Sequence, residues 1–289
     1  MKILPVILLS TSVLAGCSGV NPITGGTPSD DSSDVGGPGT CTAANTACSG
    51  EVNQFNYNPS SDTLTINNLP FDLRGTYDRL PGVSVNGFPV YMNDGGDEIY
   101  LAIFGTGPSG TVEGGVVGTG GYVDFGYGGT VFRSTGASLP QVGEATFTGD
   151  YAGMRIYQGT GVVHFVTGDL DLRIDFDDFD VVGAVDLTIT DREAWTTGGT
   201  SAGVLPYLSG STTQLSGIRM KSTAIAEIDG AGNTVAQGET AAIFGGTIGT
   251  GLDGEVAGTL TIQGPDALGG PNEVKETGFY VGSQVGYNR

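Results

Sequence analysis

The sequence predicts an all-β protein, and three observations carry that reading. Apolar and polar residues alternate in short runs, glycine, threonine and valine are abundant, and no stretch keeps apolar residues at i, i+3, i+4 and i+7 over three turns. Fifty-two glycines in 289 residues, without a G-X-Y period and beside 38% hydrophobic residues, exclude collagen and wholesale disorder. What remains is strands joined by many turns.

The first element stands apart from that fold. Lys2 precedes an apolar run from Ile3 to Leu9, and small residues lead to Cys17, the layout of a secretory leader over residues 1–16. Leu14-Ala15-Gly16-Cys17 resembles the lipobox of bacterial lipoproteins, in which the cysteine is acylated and the peptide is cut before it. Cys17 is therefore the expected lipid attachment point, and the membrane the first expected partner. Ser18 stands where an aspartate would favour retention in the inner membrane. The expected location is the outer membrane with the protein facing the surroundings; a periplasm-facing anchor is the alternative.

Residues 17–50 read as a flexible tether of Gly, Ser, Thr, Pro, Asp and Asn, too poor in apolar surface to offset ordering entropy. Cys41 and Cys48 lie inside it, and in an oxidising compartment the expected state is a small disulfide loop. Removal of Lys2 with the leader takes the formal charge from −20 to −21 (one positive charge lost). So acidic a chain repels nucleic acid, which is excluded as a partner.

Residues 51–140 read as one antiparallel sheet region. "DTLTINNL" places Leu64 and Ile66 on one face, and "DEIYLAIFG" sets Ile99, Leu101 and Ile103 against Tyr100, Ala102 and Phe104. "STGASLPQVGE" interrupts the alternation and marks a boundary. Residues 141–289 then open with "EATFTGDYAGMRIY", where Phe147, Gly149 and Tyr151 share a face. The clearest hairpin follows: Leu170, Leu172, Ile174 and Phe176 alternate with Asp169, Asp171, Arg173 and Asp175, and Val185, Leu187 and Ile189 return. Further strands are expected in "SGIRMKSTAIAEI", "ETAAIFGGTIG", "EVAGTLTI" and "TGFYVGS". Meandering strands in this number close on themselves, which removes free edges.

A lipobox, a polar tether and glycine-rich β-structure together resemble the surface lipoproteins typified by transferrin-binding protein B and factor H binding protein. The similarity covers about residues 144–289, through "ATFTGDYAG", "GDLDLRIDF", "AAIFGGTIGTGLDGEVAGTL" with Glu255-Val256-Ala257-Gly258, and "ETGFYVGSQ". The resemblance implies an eight-stranded antiparallel barrel preceded by a flatter, handle-like sheet. It also implies protein ligands held on loops and handle surfaces. No ligand-binding residue carries over, and transferrin itself is not implied.

Motifs that point to chemistry do not assemble into a catalytic site. Gly199-Thr200-Ser201-Ala202-Gly203 matches G-x-S-x-G, but no helix follows and the only histidine, His164, precedes the serine. Gly105–Gly110 and Gly249–Gly254 both match G-x-G-x-x-G without a helix opening at the loop. The acidic residues fall mainly on the solvent side of the alternation, which disfavours paired carboxylates with raised pKa. Asp175, Asp177, Asp178 and Asp180 offer the oxygen ligands Ca²⁺ takes, without EF-hand spacing. No metal and no cofactor are expected; Ca²⁺ at this hairpin tip is the alternative.

Residues 191–210 read as a long interruption between strands, with Trp195 and Tyr207 as candidate anchors for a ligand. The other reading of Trp195 is a lid on a barrel mouth. The expected function is binding of an extracellular protein or nutrient carrier by a lipid-anchored barrel, with no enzymatic activity. A structural envelope lipoprotein is the alternative, and a hydrolase comes third.

Overall fold

The computed structural model describes residues 41, 43–67, 69–73, 75–121, 124–177, 184–212 and 215–289. The leader, Cys17 and the tether up to residue 40 lie outside them. The described residues form two sheets, antiparallel but for the short β9 (Ala137–Ser138), which pairs parallel to its neighbour, and no helix.

The first sheet comprises β1 (Thr46–Gly50), β2 (Gln54–Asn58), β3 (Thr63–Asn67), β4 (Thr76–Val85), β5 (Phe88–Asn93), β6 (Tyr100–Thr106), β7 (Val112–Gly118) and β8 (Gly128–Ser134). Strands β2 to β8 meander, and β1 pairs back onto β8, from Thr46↔Arg133 to Gly50↔Gly129. The two ends of the sheet are thus consecutive strands, and the sheet curls nearly closed. Strand β1 lies ahead of residue 51 and is part of the first sheet. Thr46–Gly50 has little hydrophobic signal of its own, but Ala47 and Cys48 are buried once β8 supplies the ladder.

The second sheet comprises β9 (Ala137–Ser138), β10 (Glu144–Tyr157), β11 (Val163–Asp175), β12 (Val185–Thr196), β13 (Ser201–Val204), β14 (Tyr207–Thr212), β15 (Leu215–Ser216), β16 (Arg219–Ile228), β17 (Thr234–Thr247), β18 (Glu255–Pro265) and β19 (Glu273–Asn288). Eight of these, β10, β11, β12, β14, β16, β17, β18 and β19, form a closed antiparallel barrel. The ring is completed by β16 on β17 and by β10 on β19, whose register runs from Glu144↔Asn288 to Tyr157↔Val274. An eight-stranded barrel is just wide enough to be filled by side chains. Phe147, Leu170, Leu172, Ile174, Leu187, Ile189, Phe244 and Leu260 fill this one. Asp169, Asp171 and Arg173 point outward from the same hairpin, because the side-chain period of a strand is two.

The first sheet is covered on both faces. Leu64, Tyr77, Tyr91, Tyr100, Ala102 and Phe104 fill its own concave side. Val85, Val90, Ile103, Val116 and Phe132 on the other side pack against the outer wall of the barrel, on Met154, Ile243, Ala257, Phe279 and Val281. That is why β7 is buried almost continuously rather than at alternate positions. Phe279 sits over Gly114, where an added Cβ would come within 2.7 Å of its ring.

Candidate functional site

Three constructions fasten the two sheets and define the open space between them. The first is the β4–β5 turn, Asn86-Gly87, with φ of 48° and 83°, the geometry of a type I′ hairpin. Its Asn86 Nδ2 donates to the carbonyls of Tyr151 (3.2 Å) and Gly168 (2.8 Å) on the barrel wall.

The second is the β6–β7 turn, which contains the first G-x-G-x-x-G match. It does cradle an anion, and the anion is the chain's own Glu255. Ser109 N donates to Oε1 at 2.6 Å, and Thr111 N and Oγ1 donate to Oε2 at 3.0 and 2.5 Å. A Cβ at Gly107 would lie 2.4 Å from that carboxylate, so the close approach requires glycine. Burial pushes the Glu255 carboxyl up, but these donors outweigh it and hold it below the usual carboxylate range. The second match, Gly249–Gly254, is the β17–β18 turn, held by Gln284.

The third is the seam itself, which opens on either side of the β7–β8 connection. One mouth has a cavity of about 260 Å³ where Val83, Val85 and Phe165 meet Trp195. Beside it, a wider recess of about 560 Å³ is lined by Asp97, Glu98, Ile99, Val162, His164 and Thr196. Ile99 is 59% and Val162 43% exposed, so this rim presents apolar surface next to acidic groups. His164 Nδ1 lies 3.0 Å from Tyr157 Oη, and burial pulls the imidazole pKa down despite Asp266 nearby. The other mouth has a cavity of about 470 Å³ below the Phe125–Gly129 segment.

Residues 191–210, read from the sequence as one long loop, are strand, tight turn and strand. Gly198 and Gly199 turn the chain so that β13 folds back on β12, and β14 follows two residues later. Trp195 therefore belongs to β12, opposite Phe165, with its indole Nε1 donating to Thr167 Oγ1 at 3.3 Å. It faces the seam. Tyr207 opens β14 opposite Ile228, 40% exposed, so the two aromatics do not share a loop. Ser201 Oγ donates to the Glu193 carboxylate. Cys41 and Cys48 are joined by a disulfide with Cα atoms 5.5 Å apart. At the β11–β12 tip, Asp175 accepts from Asp177 N, and Asp177 accepts from Gly143 N, both at 2.9 Å. Asp178 and Asp180 lie outside the described residues, among which no group of three or more metal-ligating side chains occurs.

The alternation reading missed a set of charged residues inside the barrel. Arg155, Arg192, Glu227 and Glu276 are fully buried at the end of the lumen opposite Phe147 and Phe244. Glu276 accepts from Arg192 Nη2 (2.6 and 2.7 Å), Arg155 Nη1 (2.9 Å) and Tyr151 Oη (2.8 Å). Glu227 Oε1 accepts from both guanidiniums, at 3.1 and 2.9 Å, and Asp266 stands 3.7 Å from Arg155 Nη2. Burial pushes the Glu276 carboxyl up, but Arg192 and Arg155 outweigh it and bring it below its ordinary value. A signal was present: Arg155 shares the parity of Phe147 and Tyr151, and Glu276 that of Tyr280. The network ties β10, β12, β16 and β19 across the lumen.

No family model matches the sequence, and a search of curated proteins finds no match. Solved structures do resemble it. One is a point mutant of transferrin binding protein B (TbpB), a vaccine antigen from Haemophilus parasuis Hp5, at 9% identity and a TM-score of 0.42. Another is intact Ap-TbpB, N and C lobes, at 10% identity and 0.41. This chain spans under half of either, 45% and 46% of their lengths, with 83% of its own residues aligned. A third, titled a surface lipoprotein, is matched over its whole length at 13% identity and 0.35. The likeness is one of fold.

Proposed function

We propose that this chain is a lipid-anchored outer-membrane lipoprotein, facing the surroundings of the cell, that binds an extracellular protein and performs no catalysis. The observation that carries the binding reading is the seam mouth at Trp195. There Ile99 and Val162 stand exposed beside Asp97 and Glu98, and a recess runs between the sheets. Exposed apolar side chains rimmed by charge are the usual make-up of a protein-binding patch. Anchoring rests on Leu14-Ala15-Gly16-Cys17, whose thiol has an acceptor role and no neighbouring base or metal ligand in the sequence. The acidic rim favours a partner whose contacting surface is basic and apolar.

The test uses the intact protein on living cells. A photo-crosslinking residue in place of Ile99 is expected to trap a protein from the growth medium, whereas the same residue at Asp171 is not. Protease added to the cells is expected to remove the protein. Protection from protease with no crosslink at Ile99 would replace this reading by a structural envelope role.

A further inference from the structure

The second seam mouth is chemically unlike the first, and the barrel wall shows why. Under the first sheet, the facing row on β17, β18 and β19 is Ala241↔Thr259↔Phe279, which is part of the apolar seam. One step along the same strands and face, the row becomes Glu239↔Thr261↔Thr277, and the next is Gln237↔Gln263↔Lys275. These six outward side chains line the 470 Å³ cavity. Adjacent strands lie about 4.8 Å apart, so the wall carries hydroxyl, amide and charged groups at regular spacing. The opposing wall is the Phe125–Gly129 segment, where Phe125 stands among bare glycines and Tyr127 packs back against the first sheet's own core.

From this arrangement we infer a saccharide site: the groove takes a neutral mono- or disaccharide. Hydroxyl and amide side chains both donate and accept, as the hydroxyls on the rim of a pyranose do. Aromatic rings supply the apolar surface on which the C–H face of a sugar packs. Strands β17 to β19 are each paired on both edges, so a peptide strand cannot add there. One lysine, Lys275, faces two carboxylates, Glu51 and Glu239, so the groove gives no net attraction to phosphate, sulfate or uronate. The volume falls in the roughly 300–1,000 Å³ range of small-molecule sites. The inference is independent of the protein-binding mouth at Trp195.

The experiment is saturation-transfer NMR on the full chain with lactose, maltose and N,N′-diacetylchitobiose as probes, followed by titration of any probe that responds. At least one disaccharide is expected to receive saturation. Gln263→Ala and Phe125→Ala are each expected to weaken it by about tenfold, the loss of one hydrogen bond or ring contact to the sugar. Gln263 faces outward on the wall, so its variant keeps the fold, and an unchanged melting curve checks this. The same neutral glycan offered free and on its carrier protein separates a free-sugar ligand from a glycoprotein ligand. No saturation of any probe, or binding unaltered by Gln263→Ala, overturns the inference.

Discussion

The two ends of the barrel lumen are built from the same strands and held by different physics. At one end Phe147, Leu172, Ile174 and Phe244 are packed by dispersion and the hydrophobic effect, which tolerate modest changes of shape. At the other end two guanidiniums and two carboxylates meet fully buried, and Arg155 Nε, Arg192 Nε and Glu227 Oε2 have no protein hydrogen-bond partner. Ion pairs of this kind add little net stability, because desolvation offsets most of the attraction. What they do is make each member indispensable to the others. A barrel can be closed by filling it or by cross-linking it with charge, and this one does both.

The largest expected effect tests the charged end. Glu276→Ala leaves the buried Arg155 and Arg192 with Glu227 as their one shared carboxylate and is expected to cost about 3–5 kcal/mol by urea unfolding. A loss under about 1 kcal/mol would make the network no stronger than a surface pair. Leu172→Ala at the apolar end is expected to cost about 2–5 kcal/mol, through lost transfer energy and the cavity left behind. Replacing Arg192 and Glu276 together by Met and Leu is expected to cost less than Glu276→Ala alone, whereas paired truncations at the apolar end add.

Glu255→Gln, outside the lumen, is expected to cost about 1–3 kcal/mol, since two backbone donors lose a charged acceptor. Acid provides a milder probe of both sites. Glu276 and Glu255 both have carboxyls below their ordinary range, so the stability they contribute is present above that range and is lost as pH falls through the lowered values. Melting temperature is expected to fall on acidification below the normal carboxylate range, and less steeply in Glu255→Gln. The smallest effect is expected at Asp171→Asn on the outer wall, within about 0.5 kcal/mol. A larger change there would mean that outer-wall charges matter as much as lumen ones.

Much of this fold was legible in the sequence. Leu170, Leu172 and Ile174 against Asp169, Asp171 and Arg173 gave both the hairpin and its facing, because one wall is dry and the other wet. Closure of the second sheet was legible in the same way. The lumen charges were not, although their parity was in plain view. A charged residue on an alternating strand reads as solvent-facing, and only the partner strands show that Arg155 and Glu276 answer each other across the barrel. The interruption at 191–210 misled for a different reason. Val204 is 77% exposed and Ser201, Ala202 and Gly203 carry little apolar signal, so a strand sustained by backbone pairing alone looked like a loop. The seam was illegible altogether, since the hydrogen bonds of Asn86 and Ser109 across it join residues from 65 to 146 positions apart with no local pattern to link them.

The grip of the β6–β7 turn on Glu255 spans 144 to 146 residues. During synthesis Ser109 and Thr111 emerge well before the carboxylate that completes their turn, and Val116 and Phe132 wait as long for Phe279. Loop closure on this scale is slow, and an uncovered sheet face is prone to aggregate in the interval. The early half of the chain is therefore completed by the late half, and a chain stopped before Glu255 lacks both the acceptor of this turn and Phe279 and Val281, which cover the first sheet's apolar face.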